Sequence, residues 1–199
     1  MKATQKPKRA YRKSSETQKI IFDKAMAIMS EKGFQATTVR EICAEANIPI
    51  GTFYNCYKSK VDILRVIYDF GDQYMQNALD AEPTGKSALE KLHDFVCHYA
   101  TLNENTGIDA MRVLFYPSNE WFSHRRPMQT MVEEIVAEGQ AKGEICAEMR
   151  SGEIVDCIFD IIRGVCYDWC ICGGSFDMSG RMETHFSLLC SALKTGQGA

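Results

Sequence analysis

The sequence lacks the short motifs that mark the common enzyme classes. It has no Gly-X-Ser-X-Gly elbow, no glycine-rich loop for phosphates, no dinucleotide-binding fingerprint and no His-Glu-X-X-His pair. These motifs position a nucleophile, a phosphate, a cofactor or a catalytic zinc ion, so their absence argues against the corresponding chemistries. We therefore expect no enzyme activity, no catalytic residues, no cofactor and no metal ion, and we look for a binding function instead.

Long apolar runs are also missing. The most apolar region, residues 154–172, is interrupted by Asp156, Asp160, Arg163 and Asp168. A membrane span needs about 20 predominantly apolar residues, so this region is expected to be a buried helix and no membrane partner is expected. The sequence has no internal repeat, no low-complexity segment and no clear strand pattern. These observations predict an all-α fold.

The N-terminus is polar and lacks the apolar segment of a signal peptide. We therefore expect a cytoplasmic protein whose nine cysteines are reduced. Cys166 and Cys170 would share a helix face, but with Cys157 and Cys172 they do not form the paired knuckles of a zinc site. Buried cysteine often acts as a small hydrophobe, which favours a structural role. A thiol- or metal-responsive regulator that uses the C-terminal cysteines is the alternative.

The charge is divided unevenly along the chain. The first 60 residues contain 12 Lys and Arg against 5 Asp and Glu, a net charge of +7, whereas the rest contains 11 against 21, a net charge of −10. A basic N-terminal part beside an acidic C-terminal part indicates that the first part binds nucleic acid and the second does not.

Residues 37–60 carry local signals for two short helices joined by a tight turn. Thr38 and Glu41 have the spacing of a capping box, which marks the start of the first helix. Asn47 tolerates the left-handed conformation of a sharp turn, and Pro49 suits the start of the next helix. The second helix would pack through Phe53 and Tyr57 and leave its polar residues exposed. The first helix would pack through an apolar stripe of Val39, Ile42, Cys43 and Ala46.

The order of these residues resembles the helix-turn-helix of the TetR family of transcriptional regulators. The resemblance rests on the run 37–42 (TTVREI), the block 51–54 (GTFY), and then Tyr57 and Lys60. It implies contacts with the phosphates of double-stranded operator DNA from Thr37, Thr38, Arg40, Thr52, Tyr54, Lys58 and Lys60. It places nearest the base edges Ile50, Gly51 and Asn55.

The resemblance and the helical periodicity together divide the chain into three parts. Residues 1–14 are expected to be a disordered basic arm, either a solubilising tail or a contact for phosphates or the minor groove. Residues 15–60 form the helix-turn-helix domain, and residues 61–199 form a helical ligand-binding and dimerisation domain. The helices of these domains are expected at 15–32, 60–81, 87–102, 108–115, 128–141, 152–172 and 179–194.

The C-terminal domain carries two sets of candidate site residues. The family binds small effectors among its central helices, which implies a ligand site formed by Phe95, His98, Tyr99, Met111, Phe115, Trp121 and Phe122. The family pairs its subunits through the last two helices, which implies a homodimer interface formed by Ile158, Ile161, Ile162, Val165, Trp169, Phe186, Leu189 and Leu193.

The expected function is transcriptional repression. An unknown small-molecule effector would release the protein from its operator by changing the separation of the two DNA-binding domains of the dimer. The alternative from another class is a protein-binding accessory factor with a degenerate helix-turn-helix, because Ile50 and Cys56 are unusual at their positions for a surface that contacts DNA.

Overall fold

The computed structural model describes residues 8–115, 122 and 124–194, with side chains from residue 15 onward. Within these residues the regular structure is helical, apart from an isolated β-bridge between Ile145 and Lys194, which confirms the all-α prediction. The helices are α1 (Lys8–Ala36), α2 (Val39–Glu45), α3 (Ile50–Cys56), α4 (Val61–Asp80), α5 (Ala88–Thr106), α6 (Ile108–Leu114), α7 (Pro127–Ala141), α8 (Ser151–Ile171) and α9 (Met178–Leu193).

None of the helices in the described part of the chain is long and apolar enough to cross a membrane. The contacts within the described part of the chain divide it into two compact units. The first unit contains residues 8–68 and 112–115. The second contains residues 69–111 and the described residues from 122 to 194.

In the first unit, α1, α2 and α3 pack against one another. The interior is filled by side chains with little or no exposure: Ile21, Ala25, Met29, Phe34, Ile42, Cys43, Phe53, Tyr57, Ile63 and Leu64. The helices α1, α2 and α3 cover one another's apolar faces, and Ile63 and Leu64 at the start of α4 complete this small core.

The first helix differs from its prediction at its N-terminal end. It begins at Lys8, so the expected disorder is wrong for residues 8–14, whereas residues 1–7 lie outside the described residues. Lysine, arginine and alanine favour helix formation, and a serine that can cap a helix does not have to start one. At the other end, Gly33 has φ 83° and interrupts the helical conformation where the end was expected.

In the second unit, α5 packs against α7 and α9, and α8 packs against both α7 and α9. Its core includes Leu92, Phe95, Val132, Val136, Ile158, Ile162, Met182 and Phe186, all without measurable exposure. Ser87 caps α5 through a capping box with Glu90, and Asp177 caps α9 by accepting from the Gly180 amide at 3.0 Å.

Candidate functional site

The start of α2 is held by the capping box that the sequence predicts. The Glu41 amide donates to Thr38 Oγ1 at 3.3 Å, and the Thr38 amide donates to Glu41 Oε2 at 2.9 Å. Glu41 also accepts a hydrogen bond from the Lys32 ammonium, and this bond with those from Thr38 lowers the pKa of Glu41 to about 2. The carboxylate is therefore ionised at neutral pH and fixes the first turn of α2.

A tight turn then sets the direction of α3. Asn47 has φ 50°, as expected for a residue that reverses the chain, and the Ile48 amide donates to the Cys43 carbonyl at 3.0 Å. Pro49 precedes the first residue of α3 and needs no amide partner.

The helix α3 has one buried face and one exposed face. Phe53 is fully buried, and its ring lies 5.8 Å from the Tyr57 ring, whose hydroxyl donates to the Gln18 carbonyl at 3.2 Å. Burial raises the pKa of Tyr57 to about 12. This inward face fixes the rotation of α3 against α1.

The exposed face of α3 consists of Ile50, Gly51, Tyr54 and Asn55, and we call it the reading surface. Ile50 is 46% exposed and Tyr54 is 54% exposed, and Thr52 is half-buried at the edge. Thr38, Arg40 and Lys58, which the sequence places at phosphates, are also exposed. The structure thus brings most of the predicted DNA-binding residues to the outside of one small unit.

Two predicted phosphate contacts have other roles in this structure. Thr37 is 1% exposed and its hydroxyl donates to the Gly33 carbonyl at 2.9 Å, so it does not reach the surface. Lys60 donates from Nζ to the carbonyls of Phe34, Gln35 and Thr37 at 2.7, 3.1 and 2.9 Å. The ammonium has three N–H groups, and all three are used. Both side chains hydrogen-bond to backbone carbonyls where α1 ends, Thr37 in the interior and Lys60 in a half-buried position.

In the second unit, aromatic rings from α5 and α8 form a cluster that we call the aromatic cluster: Phe95, Tyr99 and Phe159. The Phe159 ring lies 5.8 Å from Phe95 and 6.3 Å from Tyr99, and the three side chains are at most 6% exposed. The sequence predicts Phe95 and Tyr99 as ligand-binding residues but misses Phe159, whose only signal is its place in an apolar helix.

The remaining predicted ligand residues are not members of the aromatic cluster. Met111 is buried, Phe122 lies beside Arg163, and Phe115 belongs to the first unit. Trp121 lies outside the described residues. His98 joins a polar network, because its Nε2 lies 2.8 Å from Glu82, which also binds Lys86 at 2.6 Å. Of the predicted set, the structure shows Phe95 and Tyr99 in contact, with ring centroids 6.2 Å apart.

Comparisons with known proteins agree with the helix-turn-helix geometry. Residues 21–67 match the family model described as bacterial regulatory proteins, tetR family, and residues 118–192 match the model described as YsiA-like protein, C-terminal region. The two matches together span more than half of the chain. The chain belongs to the TetR family. It is thus a DNA-binding regulator of transcription, and proteins of this class are generally not enzymes.

Individual TetR-family proteins resemble the chain over most of its length. The HTH-type transcriptional repressor KstR2 of Mycolicibacterium smegmatis is 25% identical over 186 residues, which cover 87% of this chain and 89% of the relative. The structure of FadR from Bacillus subtilis in complex with stearoyl-CoA has a TM-score of 0.70 at 22% identity and covers 87% of this chain and 98% of its own. The fatty acid degradation regulator FadR of Bacillus halodurans has a TM-score of 0.73 at 18% identity, with coverages of 96% and 98%. At these identities, the structural likeness establishes the fold.

Within one subunit, the residues of the predicted TetR-type dimer interface differ in their exposure. Five of its eight residues are at most 3% exposed within the single subunit, where they fill the core: Ile158, Ile162, Val165, Phe186 and Leu193. Ile161, Trp169 and Leu189 are half-buried. The large apolar side chains that face outward on α8 and α9 are different ones, namely Tyr167, Ile171 and Leu188, with exposures of 49%, 64% and 70%. We call these three residues the outer face.

The cysteines of this TetR-family chain are free thiols in the structure, and Cys43, Cys166 and Cys170 are buried. Burial raises the pKa of the Cys166 thiol, and burial together with Glu183 raises the pKa of Cys97 to about 11. Within the described residues, no three His, Cys, Asp or Glu side chains lie where they could hold a metal ion. Since a reactive cysteine needs a lowered pKa, the burial of Cys166 and its raised pKa favour a structural role for this residue.

Proposed function

We propose that the protein represses transcription by binding operator DNA as a homodimer and that a fatty acyl-CoA thioester releases it. The main support for DNA binding is the reading surface, where Ile50, Tyr54 and Asn55 are exposed. The buried side chains of Phe53 and Tyr57 hold the opposite face of this helix in the core. Exposed Arg40 and Lys58 are the cations proposed to hold phosphates. We propose that the protein acts in the cytoplasm and has no catalytic activity.

The proposal about the effector has two supports. The FadR structures of Thermus thermophilus and Bacillus subtilis, which resemble this chain at TM-scores of 0.63 and 0.70, contain lauroyl-CoA and stearoyl-CoA. The second unit of this chain also places three aromatic rings in its interior, and apolar linings are typical of small-ligand sites. Acyl-CoA thioesters are therefore the first effectors to test.

The dimer is proposed to form through the outer face of α8 and α9. Tyr167 and Ile171 lie one helical turn apart on α8, and Leu188 lies on the neighbouring α9, so their apolar surfaces can be covered together by a second copy. The buried residues Ile158 and Ile162 would then support the interface from within the subunit.

The experiment measures binding of the full-length protein to the DNA upstream of its own coding sequence by fluorescence anisotropy. Arg40 and Lys58 of two subunits should give a log–log salt slope of about −3.6 or steeper, at about −0.9 per neutralised phosphate. Lauroyl-CoA should release the labelled DNA, and free coenzyme A is the matched control that should not.

Specific binding with a slope near zero would refute the phosphate contacts, and binding that is unaffected by acyl-CoA of any chain length would refute the effector. Repeating the titration with and without a reductant tests the thiol-responsive alternative. No binding to this DNA or to other candidate operators would favour the protein-binding alternative.

A further inference from the structure

Arg163 on α8 lies close to two aromatic rings. Its Cζ lies 5.1 Å from the centroid of Phe122 and 5.0 Å from the centroid of Phe159, a member of the aromatic cluster. The Nε atom is buried and has no hydrogen-bond partner. Within the described part of the chain, no carboxylate forms an ion pair with this guanidinium. A cation thus sits against apolar rings with a buried donor left unused.

A second stacked arginine in the same unit shows the usual arrangement. The Cζ of Arg181 lies 3.3 Å from the centroid of Phe176, and its Nη1 lies 3.5 Å from Asp168 Oδ2. Arg181 therefore combines an aromatic ring with a carboxylate partner, whereas Arg163 has the rings alone. The two arginines differ in their distance from the rings, and only Arg181 has a carboxylate acceptor.

The missing acceptor has an energetic consequence. Arg163 as a whole is half-buried, but its Nε is buried and loses its hydration, which cation–π contacts replace only in part. An apolar side chain of similar length should be tolerated at this position at least as well in the ligand-free protein. Stabilisation of the fold therefore explains Arg163 poorly. A role as a hydrogen-bond donor to an oxygen atom of a bound ligand explains it better.

We propose that Arg163 binds the oxyanion of the effector, while the apolar part of the effector packs against Phe122, Phe159 and the rest of the aromatic cluster. The planar guanidinium fork matches the oxygens of a carboxylate or a phosphate. The ligand class is therefore an acyl or aryl compound that carries one of these two anionic groups. This inference rests on the proposed function, because it assigns a recognition residue to the effector site of the second unit.

The test measures ligand binding by calorimetry without DNA. The probes are laurate, which offers a carboxylate, lauroyl-CoA, which offers phosphates, and the neutral thioester of lauric acid with N-acetylcysteamine. Arg163→Met should weaken binding of at least one anionic probe by about 10- to 100-fold, the scale of a lost hydrogen bond between charged groups. Arg163→Lys should recover part of this loss, because it restores the charge but not the fork. The probe that loses affinity identifies the anionic group.

Two controls separate recognition from structure. Arg181→Met removes a stacked arginine that already has a partner and should leave the affinity for every probe unchanged. Arg163→Met should also keep the thermal midpoint of the ligand-free wild-type protein or raise it, and should bind the neutral thioester as the wild type does if that probe binds. Equal affinity of Arg163→Met and wild type for both anionic probes would overturn the inference, as would a ligand-free variant that melts like a core deletion.

The same variants distinguish this inference from the proposed function. Wild-type protein that binds an anionic probe through Arg163 but stays on its operator supports the inference and refutes release by that effector. Release of DNA that does not depend on Arg163 supports the proposed function and refutes the inference. A wild type that binds its operator but none of the probes refutes the inference and leaves only the DNA-binding part of the proposed function.

Discussion

Lys60 and Lys58 stand two positions apart and carry the same charge, but the structure gives them opposite roles. Lys60 Nζ donates to three carbonyls at the joint between α1 and α2, whereas the Lys58 side chain is exposed. We predict that Lys60→Met destabilises the first unit and that Lys58→Met leaves its stability unchanged but weakens DNA binding. Methionine keeps the length of the apolar stem, so each change mainly removes the ammonium.

The magnitude for Lys60→Met follows from the three hydrogen bonds. The Gln35 carbonyl is exposed and can bind water in the variant, so its bond contributes little. The carbonyls of Phe34 and Thr37 are part-buried, and each bond to them contributes about 1 kcal/mol. The ammonium also lies 4.5 Å from the centroid of the Phe34 ring, which adds about 0.5 kcal/mol at a partly exposed site. The expected loss is about 2–3 kcal/mol.

Hydrogen exchange followed by mass spectrometry measures this loss in the first unit alone. Amides of α1, α2 and α3 that exchange through opening of this unit should exchange about 30- to 150-fold faster in Lys60→Met, since about 1.4 kcal/mol corresponds to a factor of ten. Peptides of α7 and α8 provide an internal control. Lys58→Met should exchange like the wild type and should reduce the salt slope of DNA binding by about 0.9 for each phosphate it contacts.

The reverse outcome would refute the assignment. Unchanged exchange in Lys60→Met together with a smaller salt slope would mean that Lys60 contacts a phosphate in the complex, as the sequence predicts. Faster exchange in Lys58→Met would mean that the Lys58 side chain stabilises the first unit in solution and is not simply exposed.

The start of α2 and the turn between α2 and α3 could be predicted because their signals are local. Thr38 with Glu41 and Asn47 act within a few residues of the helix ends that they mark, and the structure shows the capping box and the positive φ that they predict. The inward position of Phe53 and Tyr57 is also confirmed, because a helix with only two large apolar residues on one face has one way to pack.

The roles of Lys60 and of the last two helices could not be predicted, because they depend on distant partners. The carbonyls that bind Lys60 are 23 to 26 residues away in sequence, and nothing near Lys60 distinguishes it from an exposed lysine. The helix α8 carries apolar residues around much of its circumference, so its sequence does not reveal whether Ile162 or Ile171 faces the core. The packing of α7 and α9 against α8 decides this.

Arg163 shows the same limit at the candidate ligand site. In the sequence, it is one of the charges that argue against a membrane span. Its significance comes from the rings of Phe122 and Phe159 and from the buried Nε, which only the folded chain brings together. The available signal was that Arg163 is the one cation of α8, whose other charged residues are all acidic.

Two further predictions concern pH and subunit pairing. Burial raises the pKa of Tyr57 from its ordinary value of 10.0 to about 12 in the folded protein. Between these values the unfolded state loses the proton first, so stability falls as pH rises. Urea unfolding of the first unit at about pH 9 and about pH 11 should show this loss in the wild type and less of it in Tyr57→Phe. Leu188→Asp places a charge on the outer face, which is exposed in the single subunit, and should give a folded monomer by sedimentation and circular dichroism. Ile162→Asp buries a charge in the core at a cost of several kcal/mol and should unfold the second unit. The opposite result would be a folded monomer from Ile162→Asp and an intact dimer from Leu188→Asp. It would show that the subunits pair through the side of α8 that the sequence predicts and not through the outer face.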